Sequence, residues 1–114
     1  MVYHARTKVE VDVLRFNGDL NALSMIKMKD RMSRLLNRNH KRLLLDLKDT
    51  KRVELAGVGI LVDRLRKVRE QKGDIKLCNL RPEVERTFQM IGVNGLMESY
   101  STEEAAILSF ALTH

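Results

Sequence analysis

The sequence contains no tryptophan, one cysteine and one proline, and only 4% of its residues are aromatic. With so few aromatic side chains, the protein has little surface on which the bases of a single-stranded nucleic acid could stack. A lone cysteine, Cys78, cannot form an intramolecular disulfide and offers one thiolate to any metal site. No apolar run approaches the ~20 residues that cross a bilayer, and the first residues lack the apolar core of a signal peptide. These absences predict a cytoplasmic protein without a membrane span.

The charge that is present is unevenly distributed. The 114 residues carry 21 Lys and Arg against 15 Asp and Glu, a formal net charge of +6. Residues 19–42 hold seven basic and two acidic side chains, whereas residues 83–114 hold one basic and five acidic side chains. A basic excess raises nucleic acid as a partner. Because the chain is polarised and poor in aromatics, the excess favours recognition of an acidic protein partner instead.

The first part of the chain changes from a two-residue to a helical period. Val9, Val11 and Val13 alternate with charged residues, which predicts a strand with one solvent-exposed face, and residues 2–6 predict a shorter strand with a hairpin turn near Thr7. Asn-Gly at 17–18 marks a turn and Asp19 is the expected helix N-cap. A helix over residues 20–39 then carries an apolar stripe formed by Met25, Met28, Met32 and Leu35.

The remainder alternates short apolar strands with amphipathic helices. Strands are expected at 43–47, with Asp46 near the carboxyl end, at 75–79 and at 96–100. Helices are expected at 58–71, from Pro82 to Gly92 and after Ser101. The sequence therefore predicts one α/β domain over residues 1–114, with its core at about 9–110. Its sheet is expected to be mixed and four- to five-stranded, with an antiparallel strand at the start and about four helices.

Residues with catalytic or metal-binding chemistry are scarce. His4, His40 and His114 lie far apart and form no metal-ligand spacing with Cys78, and His40 is expected to be solvated in a basic loop. No nucleophile motif or Walker loop is present, and the Gly-x-Gly at 57–59 is only a fragment of a phosphate-binding pattern. The sequence predicts a non-enzymatic binding protein with no metal and no cofactor.

The most informative segment is the strand, loop and helix from 43 to 69. Gly57 and Gly59 fall where the helix begins, near unpaired backbone N–H groups and the positive end of the helix dipole. Two interpretations are open at this point. The glycines admit an anion or a partner's backbone, or they only permit a tight turn and close helix packing.

Several segments, in order and at matching spacing, resemble the STAS domain, and specifically the anti-sigma factor antagonist family. The resemblance covers about residues 9–110. It is carried by Leu14–Leu20 as the strand-to-helix turn, Leu44–Leu47 as the "LDL" strand, Gly57–Leu61 against "GLGVL", Leu80–Val84 before the third helix, and Met90–Leu96 against "LTGLDRLF".

The resemblance implies partner switching. In that family the unphosphorylated domain binds an anti-sigma factor, often a serine kinase, which phosphorylates a serine at the start of the second helix. Here Glu54 occupies the family's Asp position, Leu55 its first serine and Ala56 the phosphoacceptor position. Alanine has no hydroxyl, so the usual switch is missing at this position. The expected partner-binding loop and helix start comprise Glu54, Leu55, Ala56, Gly57, Val58 and Gly59.

Two alternative functions stay open from the sequence. The domain could be a STAS docking subunit of a larger assembly, such as a stressosome-like scaffold or a lipid-transport complex, or a homo-oligomer. The less favoured alternative is nucleic-acid binding through the basic helix residues Lys27, Arg31, Arg34, Arg38, Arg64 and Arg69. Electrostatic binding of that kind would weaken steeply with salt.

Overall fold

Strands and helices alternate along most of the chain. The computed structural model describes the backbone of residues 2–4 and the whole of residues 9–112. The strands are β1 (Val2–His4), β2 (Glu10–Asn17), β3 (Arg42–Asp49), β4 (Asp74–Cys78) and β5 (Ser99–Tyr100). The helices are α1 (Ala22–Asn37), α2 (Leu55–Glu70), α3 (Pro82–Ile91) and α4 (Glu103–Leu112). The predicted turn near Thr7 lies outside the described residues.

The five strands form one sheet in sequential order, β1-β2-β3-β4-β5. Strands β2 to β5 are parallel, and β1 pairs with β2 in antiparallel register, with Val2 opposite Asp12. Right-handed crossovers between sequential parallel strands place α1, α2 and α3 on one face, and α4 packs on the other. The prediction of an α/β fold with four helices is confirmed. The four strands that carry the core are all parallel, so the antiparallel pairing expected of a mixed sheet is confined to the three residues of β1.

Both faces of β2 are covered, which corrects the prediction of a solvent-exposed face. Val11 and Val13 pack beneath α4, whereas Leu14 and Phe16 join the larger core below α1 and α2. Asp12 lies within this strand and is only 4% exposed. The alternation of apolar and charged residues predicted an exposed face because charged side chains usually lie in solvent. Asp12 is instead buried, and its carboxylate has a hydrogen-bond partner within the protein.

That partner is His40, which the sequence placed in solvent. His40 Nδ1 lies 2.9 Å from Asp12 Oδ2, and the His40 side chain is 27% exposed. The Asp12 carboxylate and the His40 imidazole are therefore hydrogen-bond partners, at the point where the loop after α1 contacts β2. His40 therefore has a structural contact that its position in a basic segment did not reveal.

The beginning of α1 differs from prediction by two residues. Asn21, not Asp19, is the N-cap: its side chain accepts a hydrogen bond from the Ser24 backbone N–H at 2.9 Å, and Ser24 Oγ accepts one from the Asn21 N–H at 3.0 Å. This reciprocal pair satisfies two of the donors that a helix start leaves unpaired. Met25, Met28 and Met32 are buried as predicted, with Leu36 in place of Leu35 completing the stripe. These three methionines are thus core residues.

Residues 9–112 contain no helix that is both long and apolar enough to cross a membrane; α1 and α2, the longest helices, have 16 residues each.

Candidate protein-binding site

Helix α2 begins at Leu55, three residues before the predicted start. The Leu55–Gly59 segment, expected partly as a loop, is therefore the first turn of a helix. Its N-cap, Glu54, has extended backbone geometry and makes no side-chain capping hydrogen bond. The apolar pattern placed the start too late because Leu55 and Ala56 are exposed and lie off the buried stripe.

The segment that precedes α2 is hydrogen-bonded to the segment that precedes α1. Leu20 and Val53 form an isolated parallel bridge, in which the Leu20 N–H donates to the Arg52 carbonyl and the Glu54 N–H donates to the Leu20 carbonyl, each at 2.9 Å. The buried Thr50 hydroxyl donates to the Gly18 carbonyl at 2.8 Å. These contacts hold the first turns of the two helices side by side at the carboxyl edge of the parallel strands.

The two glycines of this turn have different surroundings. A Cβ added at Gly57 would lie 2.8 Å from both Cα and the carbonyl carbon of Asn21, so Gly57 permits the close approach of α1. A Cβ added at Gly59 would meet no atom of residues 9–112 within 4 Å. The sequence left two interpretations of these glycines open. Close helix packing within the chain explains Gly57, whereas Gly59 leaves open space above an exposed surface of α2.

The first turn of α2 presents an apolar surface to solvent. Leu55 is 70% exposed, Ala56 is exposed, and Gly59 lies one turn after Leu55 on the exposed side of the helix. Val58, by contrast, is buried and anchors the turn in the core. Because most of the Leu55 side chain lies in solvent, it contributes little to the stability of the fold.

Sequence reasoning missed a contribution from α1. Leu23 lies in the first turn of α1, two residues after the Asn21 backbone that contacts Gly57, and is 64% exposed. The signal that could have identified it is its position off the Met25, Met28 and Met32 stripe. We define the helix-start surface as Leu23, Leu55, Ala56 and Gly59.

Arg64 does not lie on an exposed basic face, contrary to expectation. It is buried at 7% exposure on the inner side of α2, and its Nη2 donates to Asp63 at 2.9 Å. Its Nε has no hydrogen-bond partner among the residues that the structure describes. Arg64 is therefore removed from the set of cations available to a polyanion, while Lys27, Arg31, Arg34, Arg38 and Arg69 are exposed.

A separate charged cluster joins α4 to the carboxyl ends of β2 and β3. Arg15 makes a bidentate ion pair with Glu103, with Nε–Oε2 at 3.0 Å and Nη2–Oε1 at 2.9 Å, and its Nε lies 3.8 Å from Asp46 Oδ2. Burial would raise the pKa of Asp46, but hydrogen bonds with Glu103, the Lys48 N–H and Asn79 lower it. The hydrogen bond with Asp46, aided by burial, raises the pKa of Glu103. The cluster is internally paired and holds α4 on the sheet.

No group of three or more histidine, cysteine or acidic side chains in the described residues has a geometry that could hold a metal ion. Cys78 is buried in β4, and burial, with the nearby charges of Asp46 and Glu103, raises its pKa to about 12. The thiol is therefore protonated and unsuited to act as a nucleophile near neutral pH.

The fold and the sequence place this chain in a known family. The model of the STAS domain matches residues 3–106, so the chain belongs to the STAS domain family. The anti-sigma F factor antagonist of Paenibacillus polymyxa is 23% identical over 96 residues, which cover 83% of this chain and 82% of the relative.

Two solved structures share the fold. The Thermotoga maritima protein TM1081 superposes with a TM-score of 0.81 at 20% identity, covering 96% of this chain and 92% of that one. The anti-sigma factor antagonist SpoIIAA in its unphosphorylated form superposes with a TM-score of 0.68 at 15% identity, covering 100% and 98% of the two chains.

Proposed function

We propose that this chain is a non-enzymatic binding protein that acts as an anti-sigma factor antagonist. Its partner is an anti-sigma factor or a regulatory serine kinase, which contacts the helix-start surface. The observation that carries the proposal is the 70% exposed Leu55 in the first turn of α2, beside Ala56 and the open space above Gly59. Membership of the STAS family and the similarity to a named anti-sigma F factor antagonist support the choice of partner.

The chemistry of the surface suits a protein partner. Leu23 and Leu55 offer apolar side chains at its centre, and contacts of this kind release water when a partner covers them. Glu54, exposed at the N-terminus of α2, provides a charged rim next to the positive end of the helix dipole. Gly59 has no side chain, so a partner's backbone can approach α2 closely there.

In this proposal, phosphorylation does not switch binding at position 56. A phosphate would add about −1.5 to −2 charges and would disrupt an apolar contact. Ala56 has no hydroxyl to accept one. Two hydroxyls close in sequence to the helix starts already donate hydrogen bonds: Ser24 Oγ to the Asp19 carbonyl and Thr50 Oγ1 to the Gly18 carbonyl, both at 2.8 Å. Neither replaces the missing acceptor, so the protein stays in its binding-competent form.

A pair of glycine substitutions tests the binding surface. Gly59 and Gly95 both have open space where a Cβ would lie, but Gly95 is near the C-terminal end of α2, beside Arg69. Wild type, Gly59→Arg and Gly95→Arg would each be tagged and captured from the native cell. The co-purified partner would be identified by mass spectrometry and its affinity measured with purified components. We expect the captured partner to be an anti-sigma factor or a serine kinase. Gly59→Arg should weaken the binding of this partner at least about tenfold, whereas Gly95→Arg should leave the affinity unchanged. Equal affinity for all three proteins would contradict the proposed surface.

The absence of the switch has its own test. The purified partner, if it is a kinase, would be incubated with ATP and either wild type or Ala56→Ser. We expect phosphate incorporation only in the Ala56→Ser variant, at position 56, accompanied by loss of binding. Stoichiometric phosphorylation of wild type at Ser24 or Thr50 with lost binding would overturn the constitutive interpretation without affecting the identity of the partner.

A further inference from the structure

Two neighbouring parallel strands send the chain to opposite faces of the sheet. Strand β4 continues into α3, which packs on the larger core, whereas β5 continues into α4, which packs on the other face. The Asn79 N–H donates to the Tyr100 carbonyl at 3.1 Å, so the two connections begin side by side. In an open α/β sheet, the crevice where such connections separate at the carboxyl ends of parallel strands is the usual place of a ligand site.

A cleft of about 640 Å³ lies where these connections separate, and its volume is typical of small-molecule sites. Residues 79–81 and 99–101 of the two connections line it, together with Lys48 near the end of β3 and Glu85 of α3. None of these residues belongs to the helix-start surface. The cleft is therefore a separate candidate site.

The cations of the cleft are not used by the fold. The Arg81 Nε donates to the Lys48 carbonyl at 2.9 Å, which holds the guanidinium in place. Within residues 9–112, the two Nη groups of Arg81 and the Nζ of Lys48 have no hydrogen bond or ion pair. A fixed guanidinium matches two oxygens of an oxyanion with parallel N–H donors, and a lysine adds a mobile point charge. This pair of cations therefore suits an anionic group.

Hydroxyl groups add neutral donors to the same cleft. Ser99 and Ser101 are exposed there, and within the described part of the chain their hydroxyls have no hydrogen-bond partner. Together with the two cations, they supply more donors than the two oxygens of a carboxylate can accept. A tetrahedral oxyanion, which has more oxygens, fits this set of donors better.

The other residues of the cleft limit what else the ligand can be. Glu85 is an acceptor, and its carboxylate has no partner among residues 9–112. Leu80 and the ring of Tyr100 supply apolar surface, and the Tyr100 hydroxyl is already bonded to Glu98 at 2.9 Å. A molecule with an oxyanion at one end and a hydroxyl group at the other fits this distribution better than a bare ion.

We propose that this cleft binds a small molecule that carries a phosphate or sulfate group. Arg81 and Lys48 bind the oxyanion, and the hydroxyls of Ser99 and Ser101 donate hydrogen bonds to it. Glu85 accepts a hydrogen bond from a hydroxyl group on the remainder of the molecule. This site is additional to the protein-binding surface, and the inference does not rest on the proposed function.

Titration of the purified, isotope-labelled chain, followed by two-dimensional NMR at constant pH and ionic strength, tests the proposal. The probes are inorganic phosphate, sulfate, acetate and glycerol 3-phosphate. We expect phosphate or sulfate to give saturable shifts centred on the amides of residues 79–81 and 99–101, with a dissociation constant of about 1–10 mM, and the tighter of the two identifies the group. Acetate should not saturate in this range. Glycerol 3-phosphate should bind more tightly than inorganic phosphate, because its hydroxyls reach Glu85.

Two results would count against the site. An absence of saturable shifts in the cleft, or equal saturation with acetate, would overturn the proposal. Glycerol 3-phosphate that binds no more tightly than inorganic phosphate would overturn the contact with Glu85.

Substitutions distinguish this site from general attraction of anions to a basic protein. Arg81→Gln should raise the dissociation constant of glycerol 3-phosphate at least about tenfold, because charge-assisted hydrogen bonds are lost, and Lys48→Gln should raise it severalfold. Arg66→Gln is the matched control: Arg66 is exposed on α2 outside the cleft, and its substitution removes the same charge but should leave the constant unchanged. The spectra verify that each variant is folded. Because Lys48 is exposed, its substitution tests the site even where Arg81→Gln does not fold. A Lys48→Gln variant that binds like wild type, or an equal loss in Arg66→Gln, would overturn the proposal.

Discussion

The backbone of Asn21 lies directly against Gly57, so closely that a Cβ on Gly57 would come within 2.8 Å of Asn21 Cα and the Asn21 carbonyl carbon. Asn21 is also the N-cap of α1, and Gly57 lies in the first turn of α2. One contact thus joins the beginnings of two helices. It fixes where Leu23 and Leu55 emerge, because each side chain is exposed within two residues of the contact.

Alanine at each glycine of α2 will have opposite effects on stability. Gly57→Ala should lower the free energy of unfolding by roughly 1–3 kcal/mol, because the new methyl group meets backbone atoms that cannot move independently. Gly59→Ala should raise it by about 0.5–1 kcal/mol, because the site is open and alanine loses less entropy in a helix. Urea unfolding, monitored by circular dichroism, measures the free energy of unfolding of both variants. Two changes of the same sign would contradict the described packing.

His40→Ala will destabilise the fold although His40 lies in a polar loop. The substitution removes the partner that lies 2.9 Å from Asp12 Oδ2, and Asp12 is only 4% exposed. A buried acceptor left without its partner costs about 1–3 kcal/mol. Urea unfolding at neutral pH measures the loss. Asn37→Ala, at the exposed last residue of α1, is the comparison and should change the free energy of unfolding by less than about 0.5 kcal/mol.

Much of the fold could be predicted because its pattern is local. The strand at 43–47, the proline start and glycine end of α3, and the methionine stripe of α1 all follow from periodicity and capping residues. The burial of Asp12 and of Arg64 could not be predicted in this way. Each depends on what packs against the residue from a distant part of the chain, His40 for Asp12 and the neighbouring core for Arg64.

The candidate site was only partly predictable for the same reason. The sequence predicts the segment from Glu54 to Gly59 as a candidate site, but it does not distinguish the two glycines. The distinction rests on the position of Asn21, 36 residues earlier. Leu23 was missed because its position off the methionine stripe indicates an exposed side chain but not a site, and only the adjacency of the two helix starts places it beside the α2 turn.

The ion pair between Glu98 and Lys76 predicts a dependence of stability on pH. The hydrogen bond with Lys76, followed by the one with Tyr100, holds the pKa of Glu98 below its ordinary value of 4.5. Since the pKa is depressed in the folded state, the stabilisation is present above about pH 4.5 and is lost as pH falls through the lower, folded-state pKa. Glu98→Gln should therefore cost at most about 1 kcal/mol at pH 7, since the carboxylate is half exposed and screened, and less at about pH 3, which is below the ordinary pKa of the group. Urea unfolding at both pH values measures the difference, and a cost that is equal at both would contradict an ionic origin.

Cys78 will resist thiol reagents until the protein unfolds. Its pKa is raised from 9.0 to about 12, chiefly by burial, so the thiolate fraction at pH 8 is about a thousandfold below that of an ordinary cysteine. The side chain is also fully enclosed beneath α4. With a disulfide reagent that releases a coloured thiolate, we expect negligible reaction in buffer and one equivalent released rapidly in denaturing urea. A Cys78→Ser, Met90→Cys variant, with its thiol at the most exposed apolar position of α3, should react at once in both solutions. Rapid native-state reaction of the wild type would show that α4 does not stay closed over β4.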